Sequence, residues 1–373
     1  MRLSDSQRLH WLRLIRSENV GPATFRQLIN RFGSAEEALD ALPELAARGG
    51  ARGTQRVATV AEAEAELDAA RDCGARFVAT GEEDYPANLR AVDGPPPLLA
   101  VKGAAAPASA RPVAIVGSRN ASVAGMRLAR RLASELGEAG HGIASGLARG
   151  IDRAAHEGSL ATGTVAALAG GLDMPYPPEN LDLYEAIPAN GGCLVSEMPF
   201  GREPRARDFP RRNRLIAGMA LGLVVVEAAH RSGSLISARL ANEMGRLVFA
   251  VPGSPLDPRS AGTNGLIRQG ATLVTGAQDI IEALAPLDER MPPDAMSEPA
   301  GEDDDFASAP APDDDMRARF TAALGPTPVH VDDIIRHTGA PPAQVALVLL
   351  ELELAGRLER HSGGAVSLLL IDP

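Results

Sequence analysis

Seven short apolar runs punctuate residues 113–274: Val113–Val116, Gly142–Ala144, Thr164–Leu168, Cys193–Val195, Leu223–Val226, Val248–Val251 and Thr272–Val274. Segments with apolar residues at helical spacing lie between them, among them Met126–Leu136, Ile151–Leu160 and Ile236–Met244. A run so short and so uniformly apolar reads as a strand buried on both faces, and strand alternating with helix means a parallel sheet covered on each side. That pattern fixes the fold class as α/β. It also says where a ligand goes: outside the carboxyl ends of the strands, at the point where strand order reverses.

The flanks divide at compositional breaks, and 373 residues suffice for two or three domains. Residues 1–75 read as a small helical domain, with Leu9, Leu12, Leu14 and Ile15 before a break at Gly21-Pro22 and Phe25, Leu28, Ile29 and Phe32 after it. Residues 18–24 resemble the turn of a helix-hairpin-helix module, for which a protein-contacting role is favoured over a DNA contact. Residues 104–112 read as a small-residue linker into the α/β domain, 76–285. Residues 286–315 carry eleven carboxylates against Arg290 alone, a charge of −10, and read as a disordered, self-repelling linker. Residues 316–373 read as a winged helix: helices at Met316–Leu324, Val331–His337 and Pro342–Leu354, then a hairpin turning at residues 362–364. Its would-be recognition helix bears Glu351 and Glu353 and no basic residue, which favours protein contact over groove reading.

The whole chain carries −11, so removing the acidic segment leaves −1 for everything else. Against that neutral body, residues 199–214 hold six arginines and two acids, and Phe209-Pro210-Arg211-Arg212-Asn213-Arg214 places three arginines in four positions. Such a cluster is a candidate footprint for a polyanion, or else a solvated loop. Lys102 is the sole lysine, so any grip on phosphate is made by arginine, which binds bidentately and stacks on bases. Two cysteines give no disulfide framework and fit a reducing compartment, and neither a signal core nor an apolar run of spanning length is visible.

Three small-residue loops follow strands and open helices. The first is Gly117-Ser118-Arg119-Asn120-Ala121-Ser122, the second Ser145–Asp152 with Gly146 and Arg149, the third Arg231-Ser232-Gly233-Ser234. Each aims backbone N–H groups and a positive helix end at an anion. Arg119 and Ser122 stand where a dinucleotide fingerprint needs its later glycines, and no G-x-x-x-x-G-K-[ST] loop occurs, so nucleotide-cofactor binding is not expected. Asp152 and His156 share a helix face, but without a third ligand they read as a helix-capping acid and a surface or core histidine. Glu227, Asp173 and Glu197 at strand ends read as carboxylates that organise arginines. No catalytic or metal-binding set is assigned.

The ordered motifs VAIVGSRNAS (113–122), SGLARGIDRAAHEGSL (145–160), SEMPFG (196–201), FPRRNRLIAG (209–218), VVVEAAHRSGSLISA (224–238), VFAVPG (248–253) and GTNGLIRQGA (262–271) resemble the DNA-processing protein A (DprA/Smf) family. The likeness spans roughly residues 80–280. It implies an extended Rossmann-like parallel sheet with a helical N-terminal domain and a C-terminal winged helix. It further implies a cytoplasmic, non-enzymatic protein without a cofactor. Such a protein binds single-stranded DNA, protects incoming DNA and loads the RecA recombinase during natural transformation, working as a homodimer through the Rossmann-like domain. Family motif positions fall on Gly117, Ser118 and Arg119, on Gly146 and Arg149, and on Phe209, Arg211, Arg212, Asn213 and Arg214. Ser145, Ser232 and Ser234 complete the expected DNA-contacting set. Phe209 would stack on bases, with Arg119 as a second platform, or else Phe209 is a core residue that anchors the loop. Pro178 departs from the family pattern where some members carry a basic residue, a gap that Arg202, Arg205 or Arg207 would fill. The competing readings are a phosphoribohydrolase-type Rossmann enzyme, whose P-G-G-x-G-T loop is missing here, and a nucleotide-sensing scaffold.

Overall fold

The computed structural model describes residues 2–290 and 312–369. The chain forms two compact units. One comprises residues 1–3 and 65–295, the other residues 4–64 and 296–373.

The terminal unit opens with helices α1 (Asp5–Arg16), α2 (Pro22–Phe32) and α3 (Ala35–Arg48), and α4 (Val60–Asp72) leads out of it. The boundaries follow local chemistry. Ser4 and Gln7 form a capping box on α1, and Pro22 sits in the first turn of α2, where its missing N–H costs nothing.

In the other unit the chain forms β1 (Ala75–Ala79), α5 (Ala87–Arg90), β2 (Leu98–Gly103), α6 (Ala106–Ser109), β3 (Val113–Val116), α7 (Val123–Glu138), β4 (Ile143–Ser145), α8 (Ile151–Ser159), β5 (Thr164–Ala167), α9 (Leu181–Ala189) and β6 (Cys193–Ser196). It continues through α10 (Asp208–Met219), β7 (Gly222–Val225), α11 (Gly233–Glu243), β8 (Leu247–Ala250), α12 (Ala261–Arg268), β9 (Thr272–Leu273) and α13 (Ala277–Arg290). Among the described residues these strands make one nine-stranded sheet, ordered β1-β2-β6-β5-β4-β3-β7-β8-β9. From β6 to β9 all pairs are parallel, while β2 pairs antiparallel with both β1 and β6.

Both faces of the sheet are buried, which is why its strands are apolar without alternation. Ala114 and Val116 pack with Leu215, Ile216, Leu223 and Val225 on one face. Val113 and Ile115 pack with Leu132, Leu136, Val224 and Phe249 on the other. After β3 the chain adds β4, β5 and β6 on one side. It then returns to lay β7, β8 and β9 on the other. The switch point therefore falls between β3 and β7, which pair directly from Val113–Gly222 to Val116–Val225.

All seven expected strands are present to within a residue or so. The antiparallel pair β1 and β2 was not among the expected strands, although Leu98–Val101 is an apolar run of the same kind. Residues 104–112 are more than a linker: they contain α6, and Pro107 and Ala108 are buried. Pro107 lies against the backbone at Gly142 and Gly163, which leave no space there for a side chain.

In the terminal unit the C-terminal residues fold as α14 (Asp314–Ala323), β10 (Val329–His330), α15 (Val331–Thr338), α16 (Pro342–Leu354), β11 (Leu358–Arg360) and β12 (Ala365–Leu368). The strands form an antiparallel sheet ordered β10-β12-β11. This is the expected winged helix. Its recognition-type helix α16 is fully engaged with the N-terminal helices: Leu347, Leu350 and Leu354 share a core with Leu14, Phe25, Leu28, Leu39, Leu42 and Leu45. Its acid Glu351 is buried and held by Arg317 through Nε at 2.8 Å and Nη2 at 3.0 Å. The hairpin between α1 and α2 is used the same way, Asn19 Nδ2 donating to the Leu354 carbonyl at 2.9 Å. Both segments thus make protein contacts within the chain. Of the acidic 286–315 stretch, residues 291–311 lie outside the described residues, and its two ends belong to α13 and α14.

Candidate functional site

The loops after β4, β3 and β7, neighbours in the sheet, converge with the head of α10 on one crevice of about 820 Å³. Gly117, Ser118, Arg119, Asn120, Tyr176, Phe209, Arg212, Asn213, Arg231 and the 232–234 turn line it. It opens at the switch point, where the topology sends a ligand.

Glu227, just past the end of β7, sets the first loop. Its carboxylate accepts from the Ser122 backbone N–H at 2.9 Å and the Ser122 hydroxyl at 2.5 Å. Ser122 Oγ in turn accepts from the Gly125 N–H and caps α7. A Cβ on Gly125 would lie 2.6 Å from the Glu227 carboxyl, so glycine is required where the acid seats. Glu227 therefore fixes the loop that carries Arg119, and is no partner of the arginine run. Within that loop the Ser118 hydroxyl accepts from the Asn120 N–H at 3.1 Å.

The second loop is fastened from beneath. Asp152 is buried and accepts from the Gly146 N–H at 3.2 Å and, at longer range, from the Ala148 N–H at 3.4 Å. Burial pushes its carboxyl up, while Arg212 opposes the shift. His156 is fully buried: its Nε2 faces the Leu147 N–H at 3.3 Å and its Nδ1 lies 2.7 Å from the Thr164 hydroxyl. Nε2 must then be the acceptor and Nδ1 the protonated nitrogen of a neutral ring. Burial, with Arg212 adding to it, lowers this imidazole to about 3. Both residues are structural, and Asp152 holds loop amides in place of an ordinary helix cap. Ser145 is also buried, its hydroxyl donating to the Ile115 carbonyl at 2.6 Å, so the geometry removes it from the contact surface.

The arginine run separates by role. Residues 208–219 are helical, so 211 and 214 lie one turn apart on one face and 212 points elsewhere. Arg211 Nε and Arg214 Nη2 both reach the buried carboxylate of Glu197, at 2.9 and 2.6 Å, and Arg214 also donates to the Gly94 carbonyl at 2.8 Å. Arg212 is only 5% exposed and lies below the rim. Burial lowers its guanidinium to about 10 against the pull of Asp152. Its Nε has no hydrogen-bond partner, and a Cβ on Gly146 would fall on its guanidinium. Arg202 pairs with Asp208, and Asn213 reaches the Gly233 carbonyl at 3.5 Å. Asp173 accepts from the Gly201 N–H.

Arg211 stays about half exposed while paired; the cations that face solvent without an ion pair are others. Arg119 and Arg231 are exposed at the crevice and make no ion pair among the described residues, and the same holds for Arg205 and Arg207 beside the head of α10. Arg149 is exposed at the edge, 3.4 Å from Glu179. Phe209 is half-buried, its ring facing the Arg119 guanidinium at 4.9 Å with Arg212 at 5.8 Å and the ring of Tyr176 edge-on at 5.8 Å. Ser232 caps α11, whose first turn faces the crevice, and bonds the Ser234 hydroxyl at 2.7 Å. Arg231 and Tyr176 were absent from the expected contact set. The first stood in plain view in the third loop; the second carries no signal beyond being one of three tyrosines. Among the described residues no group of three or more acids, histidines or cysteines could hold a metal, and no helix is long and apolar enough to cross a membrane.

Residues 76–285 match the family profile described as DNA recombination-mediator protein A, residues 5–69 a DprA-like N-terminal HHH domain, and residues 304–364 a DprA winged helix domain. Protein Smf of Escherichia coli is 39% identical over 294 residues, covering 78% of this chain and 77% of that one. DNA processing protein DprA of Bacillus subtilis is 41% identical over 221 residues, 58% of this chain and 74% of that one. Among solved structures, DNA processing protein A from Streptococcus pneumoniae superposes with a TM-score of 0.62 at 32% identity, covering 76% of this chain and 98% of that one. The Helicobacter pylori protein of the same name, whose structure addresses its binding of single-stranded DNA, gives 0.52 at 30% identity over 57% and 96%. With its central profile spanning more than half the sequence and the flanking profiles in matching order, the chain belongs to the DNA recombination-mediator protein A family.

Proposed function

We propose that the crevice at the β3/β7 switch point binds single-stranded DNA and that the protein delivers the bound strand to the RecA recombinase. The observation that carries the reading is the pairing of exposed, unpaired arginines with a half-buried aromatic ring on one rim: Arg119 and Arg231 beside Phe209. A single strand needs those two things, cations that follow its phosphates and a flat group on which a base stacks. The helix start at Ser232 adds a backbone dipole pointing at anions. The Helicobacter pylori relative, similar over 57% of this chain, supports the choice of ligand.

The role is binding and delivery, not catalysis. Asp152 and His156 are spent on loop amides, and Glu227 and the Ser122 hydroxyl on fixing the first loop and capping α7. Arg119, Arg231, Phe209, the amides of Gly117 and Ser118, and the turn at Ser232–Ser234 make the direct contacts, with Arg149, Arg205 and Arg207 extending the track. Arg211, Arg212, Arg214, Asn213, Gly146 and Ser145 shape the site from behind. A homodimer through the sheet-bearing unit, acting in the cytoplasm, completes the proposal.

Titrating a fluorescent oligothymidylate against the wild type and Arg119→Ala, with nucleoside monophosphates as competitors, tests the reading. Tight oligonucleotide binding that is weakened in the variant and barely contested by monophosphate is expected. Binding of the monophosphate alone would overturn it in favour of a nucleotide-sensing scaffold.

A further inference from the structure

The only lysine of the chain is not at the crevice. Lys102, at the end of β2, is half-buried, with its Nζ 4.0 Å from Cys73 Sγ and 3.3 Å from the Tyr184 hydroxyl oxygen. Cys73 Sγ lies 3.8 Å from the same oxygen, and the ammonium sits 4.8 Å from the centre of the Tyr184 ring. Tyr184 donates its proton to the Leu172 carbonyl at 2.5 Å, so its oxygen is left to accept from Lys102. Burial and the neighbouring thiol push the phenol up, which keeps it neutral. Cys73 is half-buried and reachable from solvent, whereas burial drives the other thiol, Cys193, up to about 12 and encloses it in the sheet.

A reachable thiol and an amine within one atom's reach of each other are the parts of an acyl relay. We propose that Cys73 takes an acyl group from a small acyl thioester and passes it to Lys102, making Lys102 a lysine-acylation site of this protein. In the first step the Cys73 thiolate attacks the thioester carbonyl. The new C–S bond replaces the carrier's, and the carrier leaves as a thiol with the proton Cys73 gave up. In the second step the Lys102 ammonium first releases one proton to solvent, and the freed amine attacks the S-acyl carbonyl. The C–N bond forms as the C–S bond breaks, and the departing Cys73 thiolate takes the amine's surplus proton. No electrons are exchanged. Holding the two nucleophiles side by side makes the transfer intramolecular, the condition under which a slow acylation becomes fast. The amide product keeps one N–H for the Tyr184 oxygen and loses the cation over its ring. Tyr184 is bonded to Leu172, in the segment that runs on to Tyr176 at the crevice.

The test is incubation of the full chain with acetyl-coenzyme A, followed by peptide-resolved mass spectrometry. Acetyl-Lys102 should accumulate in the wild type and slow by about tenfold or more in Cys73→Ala and Cys73→Ser, two variants so that one poorly folded protein does not decide the outcome. In Lys102→Arg, which keeps the cation on Tyr184, acetyl should be trapped on Cys73 and be released by hydroxylamine. Equal acetylation of Lys102 with and without the Cys73 thiol would overturn the relay. So would a wild type that acquires acetyl on neither residue.

Discussion

The guanidinium of Arg119 lies 4.9 Å from the ring centre of Phe209, joining the loop after β3 to the head of α10 across the mouth of the crevice. A cation resting on an aromatic face is already a stacked arrangement, worth about 0.5–1 kcal/mol at an exposed site. A nucleobase entering the crevice would replace one member of the pair or extend it, and the arginine would be free to meet phosphate. Phe209→Leu should therefore preserve the fold and weaken oligothymidylate binding by about 1–3 kcal/mol. Fluorescence anisotropy reads this directly, and unchanged affinity would remove Phe209 from the site.

The arginines divide into two experimental classes. Arg119→Ala and Arg231→Ala should each lower the dependence of log affinity on log salt by roughly 0.7. Arg231→Ala should leave thermal stability unchanged, and Arg119→Ala should cost no more than its contact with Phe209 is worth, about 0.5–1 kcal/mol. Arg214→Ala should do the reverse, costing about 1–3 kcal/mol of stability by stripping a partner from buried Glu197 while the salt slope holds. Mobility shifts at several salt concentrations beside thermal melts distinguish the two.

Gly146→Ala drives a methyl group into the Arg212 guanidinium. Overpacking of that kind costs about 1–3 kcal/mol, and Arg212→Ala, which removes the buried guanidinium over Gly146 and its contact with the Ala167 carbonyl, a similar amount of about 1–3 kcal/mol. Denaturant unfolding measures both losses. Weakened DNA binding in either variant should follow loop disorder and recover in part when the protein is stabilised by cooling toward its stability maximum.

The buried imidazole makes stability pH-dependent in one direction. His156 titrates at about 3 in the folded protein, while an unfolded histidine titrates near pH 6.5. Between those values only the unfolded chain takes the proton. Stability is therefore whole above the upper value and falls with acid by about 1.4 kcal/mol per pH unit. His156→Gln should flatten this slope between pH 6.5 and 5 relative to the wild type in urea titrations. Asp152 is present in both proteins and cancels in the comparison.

Removal of residues 316–373 should leave single-strand affinity nearly intact, because every crevice residue belongs to the other unit. It should also bare the apolar face of the N-terminal helices that Leu347, Leu350 and Leu354 cover. Increased binding of a hydrophobic dye with unchanged anisotropy titrations is the expected pair of results. A large loss of affinity would give the winged helix a direct part in binding DNA.

The strands and the loops of the site were readable because their signals are local: an apolar run, a glycine, a helix start. The pair β1 and β2 was passed over: Leu98–Val101 is apolar like the other strands, but its antiparallel pairing with β1 and β6 depends on partners far away in the chain. The arginine run shows the same limit. Its charge marked the right place. Yet Arg211 and Arg214 turn to Glu197, and Arg212 is buried, because helical spacing and a distant carboxylate decide where each guanidinium goes. Net charge counts cations without saying which are already spent. The acidity of α16 was legible as an argument against groove binding. That its partner would be α3 of the same chain, some 300 residues away, was not.

Because residues 4–64 complete their core with leucines 347, 350 and 354, the α/β unit is an insertion within a domain whose two halves flank it in sequence. During synthesis from the N-terminus, the first helices emerge without the surface that finishes them. The entire nine-stranded sheet can assemble before that surface exists. The terminal unit thus closes only after residues 347–354 have been made.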